Sequence, residues 1–182
     1  MLNNEFLFTQ RETLYRYVAN ECATQIIRGV EKQGAATIVV PGGSTPSPVF
    51  NLLNKMSLWW HNVSVVPSDE RWLDVTHEQS NQGLLQRSLL IEKATSAKLI
   101  GLKNKAETPE LGLGECESCL EALSAPFNFV LLGMGLDGHF ASLFPSCQQL
   151  QASLSLTQTQ KCVAIDASNS PVAGDFPARM SL

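Results

Sequence analysis

Long basic runs are missing from this sequence, and so is any apolar stretch of membrane-spanning length. The first absence argues against nucleic acid as a partner, and the second against a transmembrane helix. The amino-terminal segment MLNNEFLFTQRETLYRYV has no basic stretch followed by an apolar core, so it does not read as a secretory signal. Cysteine is sparse: Cys22, Cys116, Cys119, Cys147 and Cys162 form an odd, scattered set of five. Cys116 and Cys119 make one C-x-x-C, but no second pair completes a zinc site. Leu113, Cys116, Leu120 and Leu123 fall on one helical stripe, which reads Cys116 as a core residue. Such thiols suit a reducing compartment, and the expected location is the cytoplasm. Neither the G-x-x-x-x-G-K-[ST] of a P-loop nor the G-x-G-x-x-G of a dinucleotide site occurs.

What is present is the composition of an ordinary globular protein. Hydrophobic residues make up 44% and charged residues 16%, with a net charge of -4. An anionic ligand therefore has to be held locally against a mildly repulsive whole. The 182 residues are expected to form one domain, 1–182, without repeats or linkers. Residues 10–33 have helical spacing of apolar positions and end at Gly34. ATIVV (36–40) and VSVV (63–66) are β-branched runs without a polar face, the pattern of strands buried on both sides. Helices are expected after each: one with Thr45 as N-cap and Pro46 as first residue, the other near 79–92. AKLIGL (97–102), FNFVLLG (127–133), CVAID (162–166) and ARMSL (178–182) read as further strands. The alternation predicts an α/β fold, a three-layer α/β/α arrangement around a mostly parallel, Rossmann-like sheet.

Unusual polar residues collect after the carboxyl ends of three of these strands, as GGSTP (42–46), SDERW (68–72) and GMGLDGH (133–139). In open parallel sheets those ends share one edge, where ligands bind. GGSTP reads as an anion site, with Gly42 and Gly43 admitting a ligand close to the backbone and Ser44 and Thr45 adding hydroxyls. It reads equally as a plain strand–helix turn. In SDERW, Arg71 has the planar fork that suits phosphate or carboxylate; the other reading is a surface ion-pair network. Trp59, Trp60 and His61 read as packing or surface residues, and His77 as solvated. His139 follows Gly133, Gly135 and Gly138, and an imidazole readily takes a proton near neutral pH. Asp137 is placed to orient that ring. The plainer reading of His139 is a buried histidine satisfied by a carbonyl.

In order and spacing, GGSTP, DERW, HEQSN and LLGMGLDGHFASLFP resemble the 6-phosphogluconolactonase family, within the wider glucosamine-6-phosphate isomerase/deaminase-like superfamily. The deaminase branch has DEY and GHIAFNEP where this chain has DERW and GHFASLFP. The resemblance implies hydrolysis of 6-phosphogluconolactone, a small-molecule sugar phosphate lactone, with no metal or organic cofactor. It implies His139 as general base supported by Asp137, and a phosphate held by Gly42, Gly43, Ser44, Thr45 and Arg71. Arg179 is a second phosphate candidate, and Asp69 is expected to shape the cleft or hold Arg71. Two alternatives are an amino-sugar phosphate isomerase or deaminase, and a non-catalytic sugar-phosphate binder. Phe140 stands where the family usually has Thr, and Asn128 where it commonly has Asp. Family members continue beyond ARMSL, so the final strand and closing helix are expected to be missing.

Overall fold

The computed structural model describes residues 4–123, 125–155 and 157–182. Its first element, α1 (Arg11–Gln33), ends where Gly34 takes the left-handed conformation, φ 76°, and donates its N–H to Val30 O at 2.8 Å. A residue without Cβ does this at little steric cost. The first strand, β1 (Ala36–Val40), is buried at every position. It lies between β2 (Val63–Pro67) and β5 (Phe129–Val130), with β4 (Lys98–Leu99) beyond β2. All three pairings in this sheet, ordered β4-β2-β1-β5, are parallel.

Strand alternation then divides the apolar residues between two faces. Ala36, Ile38 and Val40 of β1 join Val63 and Val65 of β2 in a core with α1, α2 (Ser47–Leu53) and α3 (Asn81–Ser88). Val39 and Val66 point the other way, into a second core with Cys116 and Leu120 of α4 (Pro109–Glu121). The sheet is thus covered on both sides, as the β-branched runs predict, and Cys116 is a core residue. Cys22, Cys116, Cys147 and Cys162 are buried, Cys119 is exposed, and all five are free thiols. No helix among the described residues is long and apolar enough to cross a membrane.

Three local expectations are corrected. Thr45 does not cap α2; Pro46 is itself in helical conformation and the helix begins at Ser47, with no side-chain cap. CVAID and ARMSL do not extend the parallel sheet. As β6 (Val163–Asp166) and β7 (Ala178–Ser181) they form a separate antiparallel sheet with β3 (Asp69–Arg71), in the order β3-β7-β6. The polar DER segment is therefore itself a strand, paired with residues more than a hundred positions later. His77 is only half-exposed, its ring 5.0 Å from that of Phe176. Trp60 is buried while Trp59 is exposed. A short helix, α5 (Leu150–Ser153), precedes β6. Asn128 accepts a hydrogen bond from Thr37 N at 2.8 Å through the side-chain oxygen that an Asp would also have.

Candidate active site

The carboxyl ends of β1, β2 and β5 open on a cavity of about 530 Å³. Gly42, Gly43 and Thr45 line it from the first loop, Asp69 and Arg71 from β3, and His139 from the loop after β5. Three segments far apart in sequence do converge. The remaining wall is largely apolar, from Leu14, Tyr15 and Val18 of α1 and from Leu132, Met134 and Phe140. Ser44, Asp137 and Arg179 are not on this wall.

The loop carrying His139 is closed by its own backbone. Gly135 N donates to His139 O at 2.8 Å and Gly138 N to Gly135 O at 2.9 Å, with Gly138 at φ 87°. The imidazole lies directly over Gly135, where a Cβ would sit 2.3 Å from Cε1 and Nδ1. Gly133, by contrast, has open space around it. His139 Nδ1 is 2.6 Å from Asp137 Oδ1, the one ion-pair contact among the described residues. That contact holds the Asp137 carboxyl below its ordinary range, so the carboxylate is ionised and can only accept. Nδ1 therefore carries the hydrogen of this contact, and in the neutral imidazole Nε2 keeps its lone pair. The ring also packs against Phe144, centroids 4.5 Å apart, and Phe140 joins the same apolar cluster beneath the loop.

The DER strand turns its side chains alternately. Glu70 points away from the cavity and is fully buried. Its carboxylate accepts from Arg71 N, Asn81 N, Gln82 N and Ser80 Oγ at 2.7–3.1 Å, covering the N-terminus of α3. Burial nevertheless pushes its pKa up, against the pull of those donors. Asp69 does not hold Arg71. Its carboxylate accepts from Ser142 Oγ at 2.6 Å and from Ser68 Oγ and Asn81 Nδ2, both at 3.2 Å. Arg71 reaches instead to Gln79 O through Nη1, and its buried Nε has no partner.

Arg179 lies opposite Arg71 in the β3–β7 register and is buried, its Nη2 bonded to Ala173 O. Its Nε is also without a partner. Burial, and then the charge of Arg71, lower its pKa to about 10. Reading the sequence missed Glu70, Asn81 and Ser142. Only HEQSN carried a trace of this, because a serine just ahead of an expected helix is an N-cap signal, and Ser80 does cap α3.

The family of glucosamine-6-phosphate isomerases/6-phosphogluconolactonase matches residues 9–182. A 6-phosphogluconolactonase of Pseudomonas putida is 37% identical over 160 residues, which are 88% of this chain and 66% of that protein. One of Caulobacter vibrioides is 35% identical, over 96% of this chain and 74% of that protein. The crystal structure of a 6-phosphogluconolactonase from Shewanella baltica superposes with a TM-score of 0.89 at 35% identity, covering 96% of this chain and 72% of that one. A monomeric glucosamine-6-phosphate deaminase, at 18% identity and a TM-score of 0.72, shares the fold. The chain thus spans about two thirds to three quarters of the length of these relatives. With the family matched along almost the whole sequence, the chain belongs to the glucosamine-6-phosphate isomerase/6-phosphogluconolactonase family.

Proposed function

We propose that this chain hydrolyses 6-phospho-D-glucono-1,5-lactone to 6-phosphogluconate, as a cytoplasmic enzyme. The observation that carries the reading is the 2.6 Å contact of His139 Nδ1 with Asp137, on a ring that lines a cavity shared with Arg71 and the GGSTP loop. A lactone is already an electrophile, so the reaction needs an activated water, a held phosphate and charge stabilisation at the carbonyl. His139 Nε2 takes a proton from water as its oxygen attacks the lactone carbonyl. The tetrahedral intermediate collapses with breakage of the bond to the ring oxygen, and the imidazolium returns the proton to that oxygen. Asp137 fixes the tautomer and offsets the imidazolium charge.

The phosphate is assigned to Gly42, Gly43 and Thr45 with Arg71, whose unpartnered Nε is a donor waiting for an acceptor. Ser44 and Arg179 do not line the cavity, so both are weaker phosphate candidates than the sequence suggests. Relatives named as lactonases are 35–37% identical, whereas the deaminase is similar only in fold, which favours lactone hydrolysis over ammonia release.

The test is lactone hydrolysis by the 182-residue chain, with spontaneous hydrolysis subtracted. His139→Ala should lower kcat by about 10²–10⁴-fold, the range of a general base. Arg71→Ala should raise KM for the phosphorylated lactone and leave an unphosphorylated lactone unaffected. A folded His139→Ala protein with normal turnover would remove the assignment, and release of ammonia from glucosamine 6-phosphate would point to the deaminase branch.

A further inference from the structure

Between His139 and the buried Ser142, Ala141 is held at φ 49°. Residues with a Cβ seldom adopt this conformation, and it persists only where the surroundings enforce it. The enforcement is visible one residue later. Ser142 Oγ donates to Asp69 Oδ2 at 2.6 Å, a separation typical of a hydroxyl on a carboxylate, and Ser142 N donates to Ser181 Oγ at 3.3 Å. Ser142 is fully buried, so water cannot replace either bond. Asp69 is held in turn by Ser68 Oγ and by Asn81 Nδ2, which also bonds Asp69 O at 2.8 Å. The Asn81 side chain fills the space that a Cβ on Gly42 would need. One polar chain, Ser142–Asp69–Asn81, therefore connects the His139 loop, the DER strand and the glycine loop.

We propose that Ser142 is a positioning residue, anchoring the strained turn that aims His139 and tying it through Asp69 to the loop assigned to phosphate. Asp69 has its lone pairs directed at three donors, which suits an anchor rather than a proton carrier. Ser142 touches neither cavity nor imidazole and acts only through the backbone of residues 139–142. This inference rests on the reading of His139 as the general base. Loss of the Ser142 hydroxyl lets Ala141 relax toward ordinary backbone angles and carries the ring away from its water.

Ser142→Ala and Asp69→Asn test it from the two ends of the bond, in the full 182-residue chain. Each variant is assayed with 6-phosphogluconolactone and by NMR of the His139 ring, a readout independent of turnover. The expected result is a kcat reduced by about 10–100-fold, as for an ångström-scale misplacement, with the His139 ring signals shifted in both variants and KM retained in Ser142→Ala, whose side chain does not line the cavity. A folded variant with unchanged kcat and ring signals overturns the proposal. So does a fall in thermal stability that leaves the ring signals in place, which is a structural role alone. His139→Ala run beside them separates the two ideas: if it is impaired and Ser142→Ala is not, only the positioning role falls. If His139→Ala is itself unimpaired, both fall.

Discussion

Gly42→Ala is the most exacting perturbation of the cavity floor. A Cβ built on Gly42 would stand 1.8 Å from Asn81 Oδ1 and 2.2 Å from its Cγ. Asn81 is buried and cannot swing aside without breaking its bonds to Asp69 O and Oδ1. Those bonds contribute about 1 kcal/mol for the neutral acceptor and about 1.5–3 for the charged one. Moving the glycine loop instead incurs an overpacking strain of about 1–3 kcal/mol. Gly42 is not among the positive-φ residues, so alanine is permitted by the backbone and gains about 0.4–1 kcal/mol from a stiffer unfolded chain. The less costly route decides, and the net expectation is a loss of about 1–3 kcal/mol. For a chain of this size that corresponds to a fall in Tm of about 2–12 °C.

Urea denaturation of a double-mutant cycle checks the cause. Asn81→Ala removes the side chain that the new methyl group would strike, so adding Gly42→Ala to it should cost almost nothing further. The coupling should be about 2 kcal/mol, well beyond the ~0.5 kcal/mol scatter of independent sites. A coupling near zero, or a Gly42→Ala protein as stable as the parent, would refute the close approach and with it the link between the glycine loop and Asp69.

Two further expectations concern the carboxylates. Glu70→Ala leaves three backbone N–H groups and the Ser80 hydroxyl without their buried acceptor, and should destabilise by about 3–4 kcal/mol in chemical denaturation. Because burial raises the Glu70 pKa, its share of stability is full at acid pH and is lost as pH rises through the folded value; Glu70→Gln should abolish that slope. Asp137 has the opposite sign. Its pKa is lowered by His139, so its contribution is present above the ordinary aspartate value and lost as pH falls through the folded one. The stability difference between the parent and Asp137→Asn should therefore vanish toward low pH, and Asp137→Asn should lower kcat by leaving the His139 tautomer unspecified.

Where local chemistry decides the structure, the sequence is a sufficient guide. ATIVV and VSVV are strands because β-branched residues without a polar face suit a doubly covered sheet, and Gly34 ends α1 because only glycine takes φ 76° freely. Long-range pairing decides the rest. DER carries no strand signal because its three side chains are charged, and what makes it a strand is pairing with β7, more than a hundred positions later. The site is legible to the same degree. The three polar segments do meet, and Asp137 does hold His139, since both follow from strand ends and a two-residue spacing. The partners of Asp69 and Glu70 do not follow, because Ser142 is 73 positions away and the N–H groups of α3 carry no side-chain signature.

That difference in partners changes what the cavity is electrically. Asp69, Glu70 and Arg71 in succession suggest a self-neutralising surface cluster, yet the fold assigns each acid elsewhere. Strand alternation sends Glu70 to the N-terminus of α3, and Asp69 is engaged by two hydroxyls and an amide. Arg71 is left without a carboxylate within ion-pair distance, and the residue opposite it is a second arginine, Arg179. Like charges directly opposite in a sheet destabilise it, and the lowered pKa of Arg179 records that repulsion along with its burial. Two buried guanidinium Nε atoms have no acceptor. Asp69 and Glu70 offset part of the charge on Arg179, and of the two guanidiniums only Arg71 lines the cavity. In the proposed function a substrate phosphate, a dianion near neutral pH, therefore meets the Arg71 charge alone, over the few ångströms where the mildly repulsive whole has least effect.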